Sequence, residues 1–351
     1  MITPDFDKAK RALIEKLQTL DINALDLSDY SKNYLTFLID DVWETLSRFE
    51  QVIEQALHNS PKLIGQITIV DFGGGTGLQS LLAVELGFKS VIYNDIFEGS
   101  CHDVAVLATA CSLKLEDIFL GDTSDLVLQL NQNSIKADLI VSYDVIEHVY
   151  DVNENFRAFS QLEHKPDVIV YGSGANIRNP FYTRVVKKDH IAVENLDREQ
   201  VFGHKKSDSL KSYLSLRKEI ISSSAPHLGE MEIDKLAENT RGLIKTDIEK
   251  QINDYILTGK FGYRPSHPTN TCDPMTGNWC ENLLDFEWLK STAQNLGFDA
   301  NISKGVYSPN GFTRRNLLRW MFNVANNSLG SLGFAFSPFY LLILKPSTRN
   351  L

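Results

Sequence analysis

The sequence predicts a doubly wound α/β protein, a mostly parallel β-sheet covered by helices on both faces. Three observations predict it. Residues 67–77, I-T-I-V-D-F-G-G-G-T-G, run from a buried-strand pattern straight into a glycine cluster, and Leu78 to Leu86 then carries the apolar spacing of a helix. Short apolar strands go on alternating with helical stretches as far as Tyr171. The rhythm lapses over residues 176–282 and resumes at Leu283.

Taken in order, Phe6 to Leu20 and Leu35 to Leu57 repeat apolar residues at helical spacing (Leu35, Leu38, Val42, Leu46, Phe49, Ile53, Leu57), so residues 1–60 form helices ahead of the sheet. Residues 61–175 form the sheet's core. Its strands are Ile67 to Asp71, Ser90 to Asn94, Asp117 to Leu120, Ala137 to Ser142 and Asp167 to Tyr171, with a helix over Val104 to Leu113. Residues 176–282 hold helical stretches at Ser207 to Ser222 and Glu230 to Leu257. So long a segment is not a structureless loop, and it reads as an inserted lid or substrate-binding subdomain. Residues 283–351 complete the sheet with a helix over Leu283 to Leu296 and strands at Phe298 to Ser303 and Phe339 to Leu344. Gly330 to Lys345 is apolar, yet Ser337 and Pro338 interrupt it and it is too short to span a bilayer.

The composition is that of a soluble protein, with 43% apolar and 23% charged residues among 351. A net charge of −10 argues against a general nucleic-acid binder, which needs a basic face. The cysteines (Cys101, Cys111, Cys272, Cys280) lack C-x-x-C pairing and read as reduced thiols. Residues 1–20 are charged and amphipathic without an apolar signal core, so a cytoplasmic location is expected.

Glycine at a strand-to-helix turn permits unusual backbone angles and lets a ligand lie against backbone amides, which suggests a nucleotide-like ligand. The dinucleotide spacing G-x-G-x-x-G is not met. Gly73, Gly75 and Gly77 give G-x-G-x-G, with Leu78 where a third glycine would fall. Asp71 ahead of them would repel a pyrophosphate and suits a ligand with a cationic amino group. The D-F-G-G-G-T-G string resembles motif I of the class I S-adenosylmethionine (SAM)-dependent methyltransferases. The resemblance implies a Rossmann-like sheet with an antiparallel last strand, SAM as cofactor, and N-terminal helices, with Tyr30 and Tyr34, covering the SAM site. Asp95, 24 residues after Asp71, is then the acidic residue of motif II, accepting hydrogen bonds from the ribose diol, with Ile96 against the adenine. Asp122 and Thr123, closing the third strand, stand where the family contacts the adenine amino group; Asp followed by Thr is also a good helix start.

The fourth strand runs into D-V-I-E-H-V, residues 144–149, with Tyr143 before it facing the methionine part of SAM. This string is similar to the post-strand motif of ubiquinone-biosynthesis O-methyltransferases. On a helical turn Asp144, Glu147 and His148 would share a face. His148 then suits a general base, the trio suits a divalent metal (as the E-x-x-E-H motif does in small-RNA 2′-O-methyltransferases), or the cluster buttresses the SAM pocket. His190 and His267 are further candidate bases from the insertion. The insertion also carries two strings: the basic residues Arg178, Arg184, Lys187 and Lys188, which suit a substrate phosphate or carboxylate or form a solvated basic face, and the polar, Trp279-containing stretch from His267 to Glu281, which suits a polar substrate pocket. The expected reaction is methyl transfer to oxygen or nitrogen of a small polar acceptor, anionic acceptors, sugars and natural-product intermediates included. Alternatives are an inactive SAM-binding module and a nucleotide-dependent oxidoreductase.

Overall fold

In the computed structural model residues 4–198 and 210–347 are described. The chain divides into two compact units. One comprises the described residues through Ile146, Asp151–Asn176 and those from Asp285 onward; the other comprises Glu147–Tyr150 and the described residues of Ile177–Leu284.

The first unit opens with helices α1 (Phe6–Gln18), α2 (Asp29–Asp40) and α3 (Val42–Leu57). Asp5 caps α1 by accepting from the Lys8 amide, and Phe6, Ala9, Leu13 and Leu17 turn one face into the core. Then come β1 (Thr68–Phe72), α4 (Leu78–Glu85), β2 (Ser90–Asp95), α5 (Glu98–Ala110), β3 (Asp117–Leu120), α6 (Thr123–Gln132), β4 (Leu139–Tyr143), α7 (Val152–Ser160) and β5 (Val168–Ser173). The second unit contributes α8 (Pro180–Asn195), α9 (Tyr213–Ser224), α10 (Glu230–Asn239) and α11 (Lys245–Thr258). The chain then returns to the first unit with α12 (Phe286–Asn295), β6 (Phe298–Lys304), α13 (Arg314–Ser328) and β7 (Tyr340–Pro346).

The seven strands form one sheet in the order β3-β2-β1-β4-β5-β7-β6. β1 to β5 are parallel, while β7 runs antiparallel between β5 and β6. This is a Rossmann-like sheet, with the antiparallel strand the sequence led us to expect. β1 and β4 lie at its centre and read as near-continuous apolar runs because both faces are covered. Ile69, Val70, Leu139 and Ile140 are fully buried. Each such side chain contributes about 1.5–3 kcal/mol by leaving water.

Several boundaries differ from the sequence reading. β1 lies one residue later than expected, and α5 begins at Glu98, a turn and a half before Val104. The expected helix at 207–222 is α9, starting at Tyr213; residues 199–209 lie outside the described residues. The stretch from Glu230 to Leu257 is two helices, with Thr240 closing α10 by folding its hydroxyl onto the Leu236 carbonyl. α13 was not anticipated.

The second unit has its own apolar cluster, including Ile221, Leu236, Ile248 and Ile252. Arg217 of α9 is fully buried there. Its guanidinium is satisfied by the Ala237 carbonyl at 2.8 Å and by the Glu194 carboxylate, which also accepts from the Thr271 hydroxyl at 2.7 Å. Removing one member of a buried pair strands the other without water. Arg217→Ala should therefore lower stability by about 3–5 kcal/mol. A shift of the urea midpoint to lower concentration, with hydrogen-exchange protection lost first in α9 and α10, is the expected result.

Candidate functional site

In a parallel sheet, ligands bind beyond the carboxyl ends of the strands. In the first unit the predicted residues gather at those ends. β1 leads into the glycine turn, β2 ends at Asp95 and Ile96, β3 at Leu120, Gly121 and Asp122, and β4 at Tyr143.

The turn is packed from behind and open in front. A methyl group on Gly73 would meet Val145 at 2.6 Å, one on Gly74 would meet Tyr93 at 2.5 Å, and one on Gly77 would meet Val104 at 2.2 Å. Gly77 also has φ +80° as the residue that starts α4, so both backbone and space require glycine there. At Gly75 the requirement differs. Its φ is +54°, but an added Cβ would find nothing within 4 Å, so this glycine faces open space. Its amide donates to Asp95 Oδ2 at 3.0 Å, and Tyr93 donates its hydroxyl to the Gly75 carbonyl at 2.6 Å.

Asp95 is 5% exposed. Oδ2 receives the Gly75 amide and Oδ1 the Phe97 amide, each at 3.0 Å. A carboxylate oxygen has two lone pairs, so Oδ1 keeps one for a further donor, while Oδ2 has the Tyr93 hydroxyl as a second, long contact at 3.4 Å. Burial raises its pKa, while the amides pull the other way. Beside it, Ile96 is 57% exposed, and Leu120, which pairs with Asp95 in the β2–β3 register, is 46% exposed. Two bare apolar side chains therefore flank the strand ends. Asn94 fixes the spacing of these ends, its side-chain amide donating to the Phe119 and Gly121 carbonyls at 3.0 Å each.

Asp122 is the N-cap of α6, with Oδ1 accepting the amides of Ser124 and Asp125. Thr123 is buried, and its hydroxyl accepts from Asn155. Asp71 is not an open carboxylate: it is buried, with Oδ1 taking the Gln79 amide at 2.9 Å and Oδ2 the Ser80 hydroxyl at 2.6 Å. It ties β1 to the first turn of α4. Tyr143 lies edge-on to Phe49 and Phe339, and the Arg48 guanidinium bonds its side chain. Tyr143 and Asp144 together push the Arg48 pKa up. On the α2 side, Ser28 binds the Asp103 carboxylate through both its amide and its hydroxyl, which anchors the helix start to α5. Tyr30 then sits near enough to Asp95 for that charge to help raise its pKa, after burial and Tyr34; its ring stacks on Tyr34 at 5.4 Å. Arg48, Asn94 and Leu120 escaped the sequence reading, since a lone residue on a helix or strand carries no motif.

The expected helical turn over residues 144–148 is not formed. Asp144 has φ +53° and its Oδ1 receives the Gly174 amide at 2.7 Å, so it turns the chain rather than starting a helix. Asp144, Glu147 and His148 therefore do not share a helical face, and among the described residues no three His, Cys, Asp or Glu side chains are grouped to hold a metal ion.

The three candidate histidines all belong to the second unit. His190, on α8, is buried with both nitrogens engaged, Nδ1 with the Thr269 hydroxyl at 3.1 Å and Nε2 with the Cys280 carbonyl; burial lowers its pKa. His267 organises its own turn, Nδ1 accepting the Thr269 and Asn270 amides at 3.2 Å each. Burial, helped by nearby cations, lowers its pKa to about 4. His148 differs. Nδ1 lies 2.9 Å from the Trp279 carbonyl, which can only accept, so in the neutral ring the proton is on Nδ1 and Nε2 carries the lone pair. Glu281 Oε1 is 3.7 Å from Nε2, and Tyr182 donates to Glu281 Oε2 at 2.7 Å. Glu281 itself is held at φ +50°. Trp279 stacks on Tyr150 and donates to its carbonyl at 3.2 Å, which holds the loop bearing Glu281.

No family profile matches the chain, and no curated protein matches it in sequence. Among solved structures it resembles a protein from Galdieria sulphuraria assigned as a sarcosine dimethylglycine methyltransferase, with 11% identity over 97% of this chain and 99% of that one, at a TM-score of 0.42. A protein from Listeria monocytogenes assigned as a SAM-dependent methyltransferase gives 9% identity over 86% and 99%, at 0.39. The phosphoethanolamine N-methyltransferase 2 of Haemonchus contortus gives 10% identity over 86% of this chain and 53% of that one, at 0.37. At these scores the chemistry rests on the residues themselves.

Asp71 also makes stability depend on pH. Its folded pKa is raised from 3.8 to about 7 by burial. Below the unfolded value both states hold the proton; above it the unfolded chain ionises first, so stability falls as pH climbs from about 4 to about 7 and then levels off. Asp71→Asn, which cannot ionise, should flatten that part of the profile when thermal midpoints are measured across the interval. An unchanged slope would assign the dependence to other groups.

Proposed function

We propose that this protein is a SAM-dependent methyltransferase acting on oxygen or nitrogen of a small polar acceptor. The observation that carries the proposal is the pairing of a glycine turn open only at Gly75 with a buried Asp95 whose Oδ1 keeps one accepting position and whose Oδ2 meets, besides the Gly75 amide, only the long Tyr93 contact. The residues present fit the cofactor. Asp95 would accept both ribose hydroxyls; Ile96 and Leu120 would take the faces of the adenine; Asp122, whose Oδ1 is spent on the helix cap, would offer Oδ2 to the adenine amino group. Arg48, held beside Tyr143, supplies a cation for the methionine carboxylate. When bound, SAM supplies a methyl group already activated by the sulfonium.

What remains for the protein is alignment, exclusion of water and, for a hydroxyl acceptor, removal of a proton. We assign that last task to His148. Its Nδ1 proton is fixed on the Trp279 carbonyl, Nε2 can receive a proton, and the Glu281 carboxylate stands ready to stabilise the resulting imidazolium. Tyr182 holds that carboxylate in place. His190 and His267 are poorer bases, the first with both nitrogens occupied and the second with its lone pair given to two amides. The exposed Arg178, Arg184, Lys187 and Lys188 of the second unit favour an acceptor with a phosphate or carboxylate.

Two measurements test this reading. Calorimetry should show SAM and S-adenosylhomocysteine binding to the protein, and Asp95→Ala should weaken both by about 2–4 kcal/mol through two lost charge-assisted bonds. Unchanged affinity would remove the ribose assignment. In a screen of acceptors scored by S-adenosylhomocysteine release, His148→Ala should lower kcat about 10²–10⁴-fold with SAM affinity intact. Glu281→Gln should cost less, since it loses only the stabilising charge. Near-normal turnover in His148→Ala would take the base role from His148. SAM binding with no turnover for any acceptor would favour an inactive binding module.

A further inference from the structure

α13 is amphipathic with its faces reversed. Its inward side is polar: Asn316, Arg319 and Asn326 are buried and Asn323 partly so. Each is hydrogen-bonded there, although the Asn326 Oδ1 has no partner among the described residues. Asn316 donates to the Gly311 carbonyl, Asn323 exchanges two hydrogen bonds with the backbone of Tyr307, Asn326 donates to the Gly305 carbonyl, and Arg319 pairs with Asp41 at 2.8 Å and Glu44 at 3.6 Å. The outward side is apolar. Leu317, Trp320, Met321 and Val324 recur at i, i+3, i+4 and i+7, with Leu318 beside them and Phe312 just ahead of the helix. Leu317, Leu318, Trp320 and Met321 are each more than half exposed, and Phe312 is fully so. Isolated exposed leucines need no explanation, but a continuous stripe of this kind does.

We propose that this face of α13 docks on an anionic lipid surface. The charges choose the occupant. The protein carries −10 overall, yet between Asp299 and Lys345 the chain has Lys304, Arg314, Arg315 and Arg319 and no acidic residue. Arg314 and Arg315 stand exposed at the start of the apolar stripe, Arg315 with Asp41 at 3.1 Å. A bilayer offers apolar chains to the stripe and anionic headgroups to the arginines, and Trp320 and Phe312 suit the boundary between them. A second copy of this chain fits less well, because a two-fold contact through this stripe brings the arginines no acidic partner from residues 300–344. α13 is 15 residues long, and among the described residues no helix is long and apolar enough to cross a membrane, so the helix would lie in the interface. The inference stands independently of the methyl-transfer reading.

The test is co-sedimentation of the full-length protein with vesicles of pure phosphatidylglycerol and of pure phosphatidylcholine. Binding should strongly favour phosphatidylglycerol and weaken with added salt. The double variant Leu317→Glu/Trp320→Glu should bind about 100-fold more weakly, and Arg314→Glu at least about fivefold. Circular dichroism and the thermal midpoint check that the variants fold; should the double variant not fold, Trp320→Ala with Arg314→Glu replaces it and should lose binding likewise. Equal binding by folded variant and wild type overturns the proposal, as does failure of the wild type to bind phosphatidylglycerol. A wild-type dimer in sedimentation velocity that the variant turns into monomer, with neither binding vesicles, assigns the face to self-association instead.

Discussion

The structure of the first unit depends on how the turn after β1 is wedged. Val145, Tyr93 and Val104 press on it from β4's exit, from β2 and from α5, and leave one direction in which a ligand can approach the backbone. These contacts arise because β1 is flanked by β2 and β4, so their side chains are the ones that reach its end. A packing error of one methylene would close the cradle or tip α4. The buried clasp of Asp71 on Gln79 and Ser80 holds the same turn by hydrogen bonds where van der Waals contact leaves off.

Around that turn the polar groups form a connected set. Asp95 touches Gly75 and Phe97, the Gly121 amide returns to the Asp95 carbonyl, and Asn94 reaches both Phe119 and Gly121. The amides of Gly75, Phe97 and Gly121 and the carbonyls of Asp95, Phe119 and Gly121 are therefore committed to a neighbour. In the proposed site a ligand would have to present hydrogen-bond donors where lone pairs remain and flat apolar surface where Ile96 and Leu120 stand bare.

Much of the first unit was legible because its signals are local. The strand-glycine-helix junction, the aspartate ending β2 and the Asp-Thr start of α6 each declare themselves within a few residues. The partners that complete them are distant in sequence. Arg48 sits on a helix nearly a hundred residues from Tyr143, and Tyr182 and Glu281 come together from opposite ends of the second unit. The helical face expected of residues 144–148 failed for a backbone reason, the left-handed turn at Asp144 that accepts the Gly174 amide. α13 was missed although its spacing is local. Leu317, Trp320, Met321 and Val324 do have helical spacing, but spacing cannot say which face turns inward, and here asparagines and an arginine do.

The antiparallel β7 sets the order in which the first unit can be completed. It lies between β5 and β6, so Ile169 pairs with Leu344 and Ala300 also pairs with Leu344, while residues 177–284 of the second unit intervene in the chain. During synthesis β5 is left with an open edge while α8 to α11 emerge, and β6 waits for β7, its strand neighbour among the described residues. Closing so long a loop is entropically costly and slow, so the exposed edge of β5 is the surface most prone to mispairing before β7 arrives. The second unit, with its own apolar cluster and buried Arg217–Glu194 pair, is equipped to fold during that interval.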